Sequence, residues 1–356
     1  MSKNISILQT VAIELLKQLI ATSSFSKEED KTAVIIKEFL EKRNVKTEQQ
    51  QNNIWAKNKY FDPSKPSILL NSHHDTVRPN KGYKNDPFSP IEKDSKLFGL
   101  GSNDAGGCLV SLIATFIHFY EKENLKYNLI LAATAEEEIS GANGILALLP
   151  LLGNPDCAIV GEPTQMQMAV AEKGLLVLDC TSSGIAGHAA REEGENAIYK
   201  IIKDIEWINN FQFPKISDWL GPVKMSVTVI ETENKAHNVV PASCKMVVDV
   251  RINDCYTHEE VLEIIRKNLQ SEIIPRSMRM RSSRIEETHP LVLAGLTLGK
   301  KMYGSPTGSD KSFMPFPALK MGPGDSARSH TADEYIYIDE LKEGIDLYIR
   351  LLEQIL

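Results

Sequence analysis

The 356-residue chain is poor in cysteine, in net positive charge and in long apolar runs. Its five cysteines (Cys108, Cys157, Cys180, Cys244, Cys255) are odd in number and form no CxxC pair. That pattern argues against a disulfide framework and against a thiolate zinc site, and a reducing cytoplasm is the expected setting. Any metal must then be held by histidine and carboxylate. Lys and Arg number 40 against 47 Asp and Glu, a formal net charge of -7. That balance argues against nucleic acid as a partner, because neutralising phosphates needs clustered cations. The one basic run, "RSMRMRSSR" at 276–284, alternates Met278 and Met280 with arginines and is expected to form a half-exposed strand. No apolar run approaches the roughly 18 residues of a membrane span. The N-terminal "MSKNISILQTVAIELLKQLI" carries Glu14 and Lys17 in an amphipathic pattern and lacks a small-residue cleavage site, so it is expected to be a helix and not a signal peptide.

What is present divides the chain in three. Ile7, Val11, Leu15 and Leu19 mark a first helix, and Ser26 with Glu29 reads as a capping box opening a second. Short apolar runs ("SILLN", "NLILAAT", "CAIVG") then alternate with helical stretches, the pattern of an α/β domain with a largely parallel sheet. From about residue 174 the texture changes to longer alternating strands separated by two helices, an α+β module. Helix returns near residue 288 and closes with Leu341, Ile345, Tyr348 and Leu352 on one face. The expected organisation is a first domain in two parts, 1–173 and 286–356, with an inserted domain at 174–285.

Polar clusters recur where strands end. "NSHHDTVRP" (71–79) spends two of only eight histidines beside an aspartate; Glu136, Glu137 and Glu138 follow "NLILAATA"; Glu162 follows "CAIV" and a glycine; Asp104 lies in "GLGSNDAGG" before a helix. Strand C-terminal ends are where open α/β sheets bind ligands. Bland readings stand beside these: "TAEE" (134–137) is also a capping box, "GLGSNDAGG" is also a phosphate-loop pattern without its lysine, and Glu162 and His330 also read as loop residues. Three consecutive carboxylates repel one another, and a pair of divalent cations would offset that cost.

Taken in order, "HHDTV", "GLGSNDAGG", "TAEEE", "VGEPT", "GHAA" and "GPGDSARSH" resemble the zinc amidohydrolase family of acetylornithine deacetylase, succinyl-diaminopimelate desuccinylase, aminoacylase and carboxypeptidase G. The resemblance covers nearly the whole chain. It implies a zinc-peptidase-like catalytic domain and an inserted ferredoxin-like domain that serves as lid and pairs two subunits into a homodimer. It also implies two divalent ions per chain, zinc with cobalt able to substitute: Asp104 bridging, His73 and Glu162 on one, Glu138 and His330 on the other. Asp75 would take the second ring N–H of His73, and Glu137 would be the general base. His74 becomes a spacer of little chemical consequence. His188 of "GHAA" would steady the oxyanion from the partner subunit, and Asn238, Arg251, Lys173 and Gly308 would contact substrate. His188 also reads as a cap for the helix that follows, Asn238 as a turn residue and Arg251 as a surface ion pair. His118, His237, His258 and His289 are expected to be structural.

The implied reaction is hydrolysis of an N-acyl amino acid, N-acetylornithine of arginine synthesis first. The desuccinylase carries "RRG" where this chain has "EKG" with Lys173 its sole cation, which suits a smaller or less anionic acyl group; succinyl-diaminopimelate, N-succinylornithine, N-acetylcitrulline or a dipeptide are alternatives that the same pocket could take. A non-catalytic binding homologue is the reading from another class.

Overall fold

The computed structural model describes residues 3–191 and 193–356 and divides into two compact units. The first comprises residues up to Val170 with Ile285–Tyr303 and Ser309–Leu356; the second comprises Ala171–Arg284 and Gly304–Gly308. The short segment Gly304–Gly308, expected in the catalytic domain, therefore groups with the second unit.

The first unit is built on a sheet whose central strands are Asn128–Thr134, Ser67–His73, Cys157–Val160 and Ala318–Lys320, adjacent in that order and mutually parallel. Asn53–Lys57 and then Thr47–Gln50 extend one side antiparallel. Every residue of Ser67–His73 and of Asn128–Thr134 is buried, which is why these strands read as unbroken apolar runs and not as alternation. One face of the sheet carries helix Gly107–Phe119, packed against helices Lys3–Ile20 and Ile338–Glu353. On the other, Ile145, Leu148 and Leu152 of helix Ile145–Leu152 pack on Leu69, Ile130 and Ala158. Leu341, Ile345, Tyr348 and Leu352 are buried as their spacing required. The parallel strands all end at the same edge, so their C-terminal residues, His73 and Thr134 among them, line up in register.

The second unit is an antiparallel sheet in the order Lys224–Glu231, Ser243–Ile252, Gly174–Ser183, Glu272–Pro275. Helices Ala197–Asn210 and His258–Asn268 cover one face, where Leu176, Leu178, Met246, Val248 and Val250 meet Ile201, Val261 and Ile265. Strict alternation of burial along Gly174–Ser183 shows that only this face is in the core.

Several local expectations fail for identifiable reasons. Ser26 does not cap the second helix: its hydroxyl donates to Asp75 Oδ2 at 2.7 Å, and the helix begins at Asp30 without a side-chain cap. The "TAEE" capping box is likewise absent, because Thr134 Oγ1 donates to Asp310 Oδ2 at 2.8 Å. The first helix buries Leu8, Ala12, Leu15, Leu16 and Leu19, while Ile7 is exposed. Residues 276–282 form no strand and only Ser283–Arg284 of the run does; the preceding strand stops at Pro275, and Arg276 and Arg281 are taken by acidic partners, Asp179 and Glu259. Four of the five cysteines are buried and all are free thiols. Among the described residues, no helix is long and apolar enough to cross a membrane.

Candidate metal centre

Each predicted ligand of the first unit comes from a strand end or from the loop beside one. His73 is the last residue of its strand and 1% exposed. Its Nε2 is buried without a hydrogen-bond partner and faces Asp104 Oδ1 at 3.4 Å, Glu162 Oε1 at 3.8 Å and Glu137 Oε2 at 3.9 Å. The other oxygen of Asp104, Oδ2, lies 3.6 Å from His330 Nε2, which in turn is 3.0 Å from Glu138 Oε2. Two donor sets result, His73 with Asp104 and Glu138, and His73 with Glu137 and Glu162, each with its ligand atoms within 4.8 Å of one another. An orphaned buried imidazole nitrogen aimed into a ring of carboxylates fits a divalent cation: the ion would satisfy the nitrogen and neutralise the acids together.

The three glutamates separate because Glu136 has a left-handed backbone, φ 54°. Its carboxylate turns away to Asn143, while Glu137 and Glu138 face the cluster. Beneath them Asp75, fully buried, accepts the backbone N–H groups of Glu137 and Glu138 at 3.0 and 3.2 Å and the Ser26 hydroxyl. His73 Nδ1 lies 3.0 Å from the backbone carbonyl of Asp75 and 3.4 Å from its carboxylate Oδ1. The expected ring N–H partner is thus chiefly the Asp75 carbonyl, and its carboxylate mainly braces the glutamate turn.

Burial first, then the charges of Glu162, Asp310 and Glu138, holds the Glu137 carboxyl well above its usual range, against the opposing pull of His73. The hydrogen bond that His330 donates to the Glu138 carboxylate, helped by the charges of Glu138 and Asp104, lifts His330 to about 9 against partial burial. A buried carboxyl wants protons, and Glu137 is therefore suited to exchanging one with a reacting group.

His74 lies outside this cluster. It is 5% exposed, with Nδ1 2.9 Å from Thr32 Oγ1 and Nε2 3.0 Å from the Asn52 carbonyl, so it ties the strand end to the second helix and to the turn before strand Asn53–Lys57. Burial lowers it to about 4. The spacer of the sequence reading is a buried tie.

His188, Asn238, Arg251, Lys173 and Gly308 all belong to the second unit. His188 and Asn238 come together: Gly187–His188 pairs with Val239–Val240, and Ala189 N donates to Asn238 O at 2.9 Å. His188 caps no helix; Asn196 caps the one that follows. Arg251 lies across from Lys224 in the sheet, and its Nε and Nη2 donate to Asp249 at 2.8 and 2.9 Å. Lys173 Nζ donates to Pro222 O, and burial followed by the charges of Lys224 and Arg251 lowers its pKa, so the three cations share one neighbourhood. Gly308 is half-buried in the turn before Ser309.

Two further buried carboxyls beside the cluster, Asp310 and Glu334, carry no signal in the sequence. Asp310 is 2% exposed and accepts from Asn71 Nδ2 and Thr134 Oγ1 at 2.9 and 2.8 Å, clamping the ends of the two strands that lead to His73 and to Glu137. Glu334 is 2% exposed and accepts three backbone N–H groups around Asp104. Neither lies in a motif that spacing alone singles out.

Among curated proteins the chain is 25% identical to succinyl-diaminopimelate desuccinylase of Rickettsia bellii over 380 aligned positions, 96% of each chain. It is 29% identical to the enzyme of that name from Zymomonas mobilis over 57% of this chain and 56% of that one. Its fold matches aminopeptidase PepT of Bacillus cereus with a TM-score of 0.80 at 17% identity, covering 98% of both chains. A dinuclear metal-binding peptidase of Bacillus subtilis gives 0.76 at 16%, again over 98% of both. The model of peptidase family M20/M25/M40 matches residues 69–354, which takes in all five predicted metal ligands. The chain belongs to this family and is a metal-dependent hydrolase.

Proposed function

We propose that the protein hydrolyses the amide bond of an N-acyl amino acid at a two-ion centre, with Asp104 shared, His73 and Glu162 completing one ion's shell and Glu138 and His330 the other's. The observation that carries this reading is the orientation of Asp104, which turns Oδ1 to His73 and Oδ2 to His330. Divalent ions held there, zinc with cobalt as substitute, supply Lewis acidity toward water and the amide carbonyl. Glu137 takes the proton of the attacking water as the C–O bond forms and gives it to the leaving nitrogen as the C–N bond breaks. Asp75 fixes the turn that presents Glu137. His188 and Asn238 steady the developing oxyanion and the substrate, and Arg251, Lys173 and Gly308 line the part that holds its carboxylate and acyl group.

For the acyl group the reading takes N-acetylornithine first, since Lys173 is the single cation of "EKG". The desuccinylase names of the relatives, with Lys224 opposite Arg251, support N-succinyl-diaminopimelate second. The protein acts as a homodimer through the second unit, whose edge strand Lys224–Glu231 exposes Val229 and Ile230 and whose helix Ala197–Asn210 exposes Tyr199 and Ile202. Its free cysteines suit a cytoplasmic setting.

The test is turnover of a panel comprising N-acetylornithine, N-succinyl-diaminopimelate, N-succinylornithine, N-acetylcitrulline and a dipeptide, with and without chelator. Metal-dependent release of a free amine from an acylated member is the expected result. Cleavage of the dipeptide alone, or of none with metal bound, contradicts the reading.

A further inference from the structure

We infer that Glu334 is a positioning residue for the metal centre, setting the Asp104 loop and the His330 loop as one piece and so governing the ion shared by Asp104, Glu138 and His330. The inference rests on the two-ion reading above.

The argument starts at a strand pairing. Tyr335–Tyr337 runs antiparallel to Lys96–Phe98, with Tyr335 opposite Phe98. This register carries the chain just before Tyr335 alongside the chain just after Phe98, and Gly99 N donates to Glu334 O at 3.0 Å. The Glu334 side chain then turns into the loop that carries Asp104. Oε1 accepts from Asn103 N at 2.8 Å and Asp104 N at 2.9 Å, and Oε2 accepts from Gly101 N at 3.2 Å. Gly101 has φ +75°, a left-handed conformation that glycine adopts without strain and that turns its N–H toward the carboxylate.

A second set of bonds joins the same loops further along. Asn103 Nδ2 donates to Asp325 O at 3.0 Å, and Asp325 N donates to Asn103 Oδ1 at 3.0 Å. His330 lies between these two fastenings, so Asp104 and His330 are placed by the same frame. His73 is held differently, at the end of a central strand with its Nδ1 on the Asp75 carbonyl.

Burying a carboxylate costs several kcal/mol unless hydrogen bonds satisfy it, and three N–H groups do so here. They do not remove its repulsion of the neighbouring Asp104. A cation held by Asp104, Glu138 and His330 would offset the charge gathered there, and Glu334 acts on that site through geometry, its three N–H bonds orienting the shared carboxylate.

The experiment is titration of metal-free protein with Zn²⁺ against a competing chelator, resolving two affinities in the wild type and in Glu334→Gln. The expected result is a fall of about 10- to 100-fold in one affinity with a smaller fall in the other, and turnover restored by excess Zn²⁺. Glu334→Asp, which keeps the charge and shortens the reach, is expected to show the same selectivity in milder form and covers the case in which Glu334→Gln does not fold. Two wild-type affinities in either folded variant, or equal losses at both sites, would overturn the role of Glu334. Uptake of fewer than two ions by the wild type would instead overturn the two-ion reading beneath it.

Discussion

Glu138 and His330 stand 192 positions apart in the chain, yet His330 Nε2 lies 3.0 Å from Glu138 Oε2. The contact supports the proposed register of the glutamate run, because the left-handed Glu136 sends its own carboxylate to Asn143 and leaves Glu137 and Glu138 to the cluster. Glu137→Gln should keep both ions and lower kcat by at least about 10²-fold, since an amide accepts no proton from water. Glu138→Gln should lose metal. Metal analysis beside steady-state kinetics separates the two, and exchanged phenotypes would shift the roles by one residue.

His74→Ala should leave metal content intact and destabilise the protein by about 1–3 kcal/mol, because two hydrogen bonds and a buried ring are lost. Denaturant unfolding of the metal-loaded protein measures this. A variant as stable as wild type but depleted of metal would make His74 a ligand.

The pH dependence of stability should carry a contribution from His258. It is 1% exposed, its Nε2 donates to Leu175 O at 3.2 Å, and burial, the largest influence, lowers its pKa. The folded state holds it neutral, so the unfolded chain binds the proton more readily and stability is lost as pH falls from about 6.5 toward the lower folded value. Between pH 7.5 and 5 the wild type should lose more stability than His258→Gln. Equal losses would contradict this.

If His188 serves the partner's site, Glu137→Gln and His188→Ala should each be nearly inactive alone and recover on subunit exchange. Half of randomly paired dimers are mixed, each with one complete site of two, so activity should approach roughly a quarter of wild type. A mixture verified to contain mixed dimers and still inactive would place His188 within its own chain's site or outside the chemistry.

The parallel sheet and its ligand-bearing edge were legible because fully buried strands write themselves as apolar runs, and the polar residues that interrupt them, His73 and the Glu137–Glu138 pair, fall at a shared edge. His330 was legible only through resemblance, since nothing in the spacing of a loop histidine predicts a partner 192 residues away. Ser26 was misread for a physical reason: it carries a helix-capping signature, yet the buried Asp75 carboxylate competes for its hydroxyl and wins. Asp310 and Glu334 were invisible because they act through backbone and strand-end groups that tertiary pairing alone brings near. Likewise the alternating "RSMRMRSSR" pattern looked like one strand, yet only Ser283–Arg284 pairs as strand, and Arg276 and Arg281 are fixed instead by Asp179 and Glu259 on other elements.

The most direct test of the account is amide hydrolysis by metal-free protein as Zn²⁺ is added in known equivalents, followed on the best substrate of the acyl-amino-acid panel. The account predicts negligible turnover without metal and a rise that levels off at two equivalents per chain, with Asp104→Ala inactive and unable to hold either ion tightly. Full turnover in the presence of chelator, or an Asp104→Ala variant that binds two ions and works, would contradict it.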